Sequence, residues 1–87
     1  MSSSPEFVRR VYPLGAEVVF VDTGALLCSD SWHLMTATVA GVPRVSRSRR
    51  GGSTWVIPTE VPHLGAHGGV LQVWVDARNV VGITRAR

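Results

Sequence analysis

The stretch VLQVWVDARNVVGI, residues 70–83, decides how the rest of the chain is read. Val70 to Val75 is an apolar, largely β-branched run that reads as a strand. Asp76-Ala77-Arg78-Asn79 supplies turn chemistry, and Val80 to Ile83 resumes the apolar pattern. Strand, turn and strand in fourteen residues set the scale of the fold.

The same logic repeats upstream. Glu17 to Val21 is β-branched and aromatic, Asp22-Thr23-Gly24 breaks it, and Ala25 to Cys28 resumes it, the signature of a hairpin. Asp22 can accept from backbone N–H groups two residues on and Gly24 can take a positive φ, so Asp22 is expected at the turn. TWVIPTEV, residues 54–61, is a strand that Pro58 interrupts or confines to an edge, because proline donates nothing to a ladder. SDSWHLMTATVAGVP, residues 29–43, fits two templates. Ser29 or Asp30 can cap a short helix over 30–40 that Gly41 and Pro43 would end. The β-branched TATV favours a strand from Leu34 to Ala40 instead.

Phe7 is expected to begin a strand that stops at Pro13 and Gly15, behind a disordered lead-in at 1–6. Residues 44–53 read as a mobile Arg/Ser/Gly loop and 85–87 as a basic tail. Residues 62–69, PHLGAHGG, hold three glycines in five positions and read as a loop. The sum is one all-β domain over 7–84, with five or six short strands. A small SH3-like or OB-like barrel, or a compact sandwich, accommodates them, and closure of a barrel removes exposed edges.

Eighty-seven residues make one domain, and a chain of this size buries roughly two-thirds of its unfolded surface. Cys28 is the only cysteine, so disulfides do not supplement the core. An apolar content of 45% with three tryptophans leaves surface for a bound partner or a homo-oligomer. The polar opening MSSSPEF and the lack of an apolar run near the ~18–20 residues of a membrane span lead us to expect a cytoplasmic or virion-associated protein without membrane contact.

The formal charge is +3, and all nine basic residues are arginine. Codon usage in a GC-rich genome accounts for much of that bias. Arginine forks also suit phosphate better than ammonium groups do. Four of the nine fall within PRVSRSRRGGS, residues 43–53, interleaved with Ser46 and Ser48. Arg44, Arg47, Arg49 and Arg50 are therefore the expected nucleic-acid contacts, with Trp55 as a stacking neighbour. Arg9, Arg10, Arg85 and Arg87 would extend the patch if the termini lie beside it. Core filling is the default for Trp32, Trp55 and Trp74.

Two enzyme families use wording close to VVFVDTGALL. The stretch resembles the catalytic segment of retroviral-type aspartic proteases, and NVVGI at 79–83 is similar to that family's second hydrophobic-hydrophobic-Gly motif. The resemblance implies a homodimer whose two Asp22 carboxyls share one proton. VFVDTGALL also looks like the first strand of PIN-domain nucleases, and GGSTWVIPTEV and VLQVWVD echo that family too. This second resemblance implies a divalent cation held by Asp22, Glu60 and Asp76. The chain departs from both patterns. Gly51-Gly52 lie in an arginine-rich segment unlike a protease flap, and PHLGAHGG is too rich in glycine for the helix a PIN domain places there.

Cys28, His33, His63 and His67 are the candidates for a zinc site, and their Cys-x4-His and His-x3-His spacings are not those of zinc fingers. No phosphate-loop, dinucleotide or nucleophile motif is present. The expectation is a non-catalytic module without a metal or cofactor, contacting nucleic acid. The alternatives are an assembly subunit, such as a phage connector or ring component, and an Asp22-based hydrolase.

Overall fold

The computed structural model describes residues 4–24, 30–62 and 69–84. The chain is mostly β. A short helix α1 (Pro5–Val11) precedes β1 (Glu17–Asp22), β2 (His33–Val39), β3 (Arg44–Arg47), β4 (Ser53–Pro62) and β5 (Val70–Asp76). A single 3₁₀ turn (Ala77–Asn79) then leads into β6 (Val80–Ile83). All six strands are antiparallel members of one sheet, ordered β3-β4-β2-β1-β6, with β5 on the other side of β4. The sheet curls strongly into a half-barrel. Of the architectures expected, the barrel describes the curl, but closure stops half-way, and a single sheet is not a sandwich.

Period-2 alternation builds the core. Val18, Phe20, Ala37, Val39, Ile57, Val61 and Val75 are buried and point to one face. The β1–β2 register sets Val18 against Ala37 and Phe20 against Met35, so inward residues meet inward residues. A slip of one residue would turn this whole set to solvent, which is why the pattern fixes the pairing.

Three expectations need correction. The helix lies at Pro5–Val11, where a strand from Phe7 was expected, and Pro5 and Glu6 of the lead-in form its first turn. Ser4 caps it by accepting from the Phe7 N–H at 3.2 Å, Pro5 opens it, and Arg9 and Arg10 sit in its last turn. Over residues 30–40 the favoured strand reading, Leu34 to Ala40, holds and the helix does not form: β2 covers His33–Val39.

Asp22 is not a hairpin turn. It is the last residue of β1, in the ladder opposite His33, so the described partner of β1 begins at His33. Gly24 does take its positive φ, at 105°. The expected resumption at Ala25–Cys28 lies outside the described residues, as do His63, His67, Arg85 and Arg87.

Pro58 neither interrupts β4 nor marks an edge. The strand runs through it, with β5 on one side and β2 and β3 on the other. Its carbonyl accepts from the Ala40 N–H at 2.8 Å, so its missing donor points to the same side. There the register shifts by two residues between the β2 and β3 segments. Gly41 and Val42 are the extra residues of this bulge, where no ladder donor is needed. A Cβ on Gly41 would stand 3.0 Å from Pro58 Cγ, and that close approach explains the glycine.

Candidate nucleic-acid interface

The arginine-rich segment is a hairpin, not a loop. β3 pairs with the start of β4 from Arg44 opposite Val56 to Arg47 opposite Ser53. The turn is closed by Gly51 N–H donating to the Ser48 carbonyl at 3.1 Å and Ser48 N–H donating to Gly52 at 2.8 Å. Gly51 has φ 86°, so the three-residue connection is a turn followed by a left-handed glycine. The Ser48 hydroxyl accepts from the Gly52 N–H at 3.2 Å and secures the return strand. Arg49 and Arg50 occupy the tip. Every residue from Arg44 to Ser53 is exposed. A mobile loop was expected; the ladder makes it a shaped hairpin.

Alternation divides the expected contacts between two faces. Ile57, Thr59, Val61 and Val75 point inward, so Val56, Pro58, Trp74 and Asp76 point outward. Arg44 and Ser46, opposite Val56 and Thr54, share that outer face. Trp55, half-buried opposite Val45, turns to the inner side. Trp55 is therefore not on the face of Arg44. Trp74 is: the Arg44 guanidinium lies 5.7 Å from the centre of its ring. Trp74 is 54% exposed and Trp32 65%, so core filling fails for both. In β5 the inward places go to Val73 and Val75.

A second outward cluster supports the hairpin. Asp76 Oδ1 accepts from the Thr54 hydroxyl at 2.9 Å and from the Arg78 N–H at 2.8 Å, and Arg78 Nη2 lies 2.7 Å from Oδ2. These bonds tie β4, β5 and the 3₁₀ turn together. The hydrogen bond from the Arg78 side chain holds the Asp76 carboxyl down at about 2. Beside it, a cleft of about 200 Å³ is bounded by Ser46, Arg47, Ser48, Gly52, Thr54 and Arg78. Hydroxyls and guanidinium groups around a small cleft suit an anionic oxygen cluster. Among the described residues, Arg47, Arg49 and Arg50 meet no carboxylate within ion-pair distance. Their charge is available to an outside partner.

Asp22 is 4% exposed on the inner side of β1, whereas Glu60 and Asp76 belong to the outer side of β4 and β5. The three carboxylates implied by the PIN-like wording do not converge, and no metal-holding cluster exists among the described residues. His33 begins β2, with its ring 3.4 Å from the Ser31 hydroxyl, while its expected companions lie outside the described residues. No helix among the described residues is long and apolar enough to cross a membrane.

Sequence reasoning missed Trp74, Thr54 and Arg78 as site residues, and it gave Asp76 a different role. The first was legible from VLQVWVD once Val73 and Val75 are assigned inward. Asp-x-Arg within DARN was the signal for the cap. No protein-family model, characterised protein or solved structure matches the chain.

Proposed function

We propose that this protein is a non-catalytic β module that binds nucleic acid through the β3–β4 hairpin. Arg44, Arg47, Arg49 and Arg50 contact phosphates. The observation that carries this reading is a hairpin exposed from Arg44 to Ser53 whose tip arginines have no carboxylate partner among the described residues. Guanidinium forks on a hydrogen-bonded scaffold lose little freedom on meeting a phosphate. Trp55 belongs to the supporting inner side of the hairpin, and Trp74 takes over the stacking role. The test is binding of a random oligonucleotide at low salt. Binding is expected, and the triple variant Arg47→Ala, Arg49→Ala, Arg50→Ala weakens it; absence of binding sinks the reading.

A second reading has its own support. Among the described residues β5 and β6 each pair on one side only, and Val70 and Leu71 on the first and Val81 and Ile83 on the second are exposed. Open edges with apolar flanks favour association of copies, as in a ring or phage connector subunit. Sedimentation distinguishes the two: a discrete high-order oligomer without nucleic acid favours assembly, and a monomer disfavours it.

A further inference from the structure

We infer that the groove beside Trp74 takes an unpaired nucleobase, making single-stranded nucleic acid the preferred ligand; this rests on the hairpin reading above. The groove, about 360 Å³, runs along the outer face between the Gly41-Val42 bulge and β5. Its size falls in the range of small-ligand sites. Pro58 forms the floor and Trp74 a wall, and Gln72 stands two residues along β5. An aromatic face, an apolar floor and an amide with both donor and acceptor are what a base offers partners for: a π surface and a hydrogen-bonding edge.

Arg44 joins this groove to the phosphate contacts. Its guanidinium covers Trp74 at 5.7 Å, close to the outer limit of about 6 Å for such contacts. That cover is loose. A base sliding onto the ring displaces the guanidinium, which turns to the phosphate that base carries. Ser46, two residues on and on the same face, borders the hydroxyl and arginine cleft, so a neighbouring phosphate has its place on the same track. Paired bases are stacked inside a duplex and cannot reach the ring, so a duplex meets only the arginines.

The experiment measures anisotropy of labelled 15-nucleotide oligo-dT, oligo-U and a 15-base-pair duplex against wild type and variants at low salt. Wild type binds single strands more tightly than the duplex. Trp74→Ala weakens single-strand binding roughly 5- to 150-fold, the range of one lost base stack, and weakens duplex binding by a clearly smaller factor. Trp74→Leu, which keeps apolar bulk without a π face, shows the same loss and guards against a folding defect. Comparison of oligo-dT with oligo-U tells DNA from RNA. If single strand and duplex bind alike and neither variant separates them, the groove proposal is overturned while the hairpin reading stands. If nothing binds, both fall.

Discussion

Replacing Asp76 with alanine removes the bonds that tie β4 and β5 to the 3₁₀ turn. The Asp76 carboxylate caps that turn through the Arg78 N–H at 2.8 Å, and a side-chain cap is typically worth about 1 kcal/mol. It also accepts from the half-buried Thr54 at 2.9 Å, a bond worth about another 1 kcal/mol. The Arg78 side chain is 77% exposed, so solvent screening leaves its ion pair out of the sum. The expected loss of about 2 kcal/mol lowers the melting temperature by roughly 8–16 °C for a domain of this size.

The effect carries a pH signature with a definite sign. In the folded chain the carboxyl sits at about 2 against its usual 3.8, because the Arg78 side chain, the Arg78 N–H and the Thr54 hydroxyl all bond its ionised form. As pH falls, the unfolded chain takes up the proton first. The stabilisation is therefore complete above about pH 5, fades between about 4 and 2, and is gone below that. Thermal unfolding of wild type and Asp76→Ala at pH 7 and pH 2.5, followed by circular dichroism, reads both quantities. A fall of less than about 4 °C at pH 7, or a gap between the proteins that does not narrow in acid, refutes the reasoning.

Two further stability outcomes follow from packing and backbone. Ile57 is fully buried where β4 meets β5 opposite Val75, so Ile57→Ala costs about 2–5 kcal/mol, measured by urea unfolding. A Cβ on Gly51 meets nothing within 4 Å, so Gly51→Ala acts only through its positive φ and costs about 1–2 kcal/mol; a larger loss in the same assay points to a contact not accounted for.

Most of the sheet was legible from its apolar, β-branched runs. VLQVWV and VVGI fall on β5 and β6, EVVFV on β1, and LMTATV on β2. What alternation does not carry is pairing distance. Asp22 read as a turn because Gly24 follows it, yet the partner of β1 begins at His33. Pro58 read as a breaker because one strand shows only its own donors, whereas the bulge that excuses it belongs to Gly41 and Val42. The helix was readable from Ser4-Pro5-Glu6, a cap, an opening proline and a first-turn acid, but the apolar residues after it suggested a strand. For the site, the clustering of Arg44, Arg47, Arg49 and Arg50 was visible and their placement on a paired hairpin was not. Trp74 became a candidate only when register turned it outward beside Arg44.

The central claim is that the hairpin arginines neutralise phosphates, and the salt dependence of oligonucleotide binding tests it most directly. Each phosphate contact on a single strand contributes about −0.7 to the slope of log K against log salt, so four arginines predict about −2.8. The triple variant Arg47→Ala, Arg49→Ala, Arg50→Ala should bring the slope to about −0.7. A wild-type protein that does not bind at low salt, or a triple variant with the wild-type slope, contradicts the account.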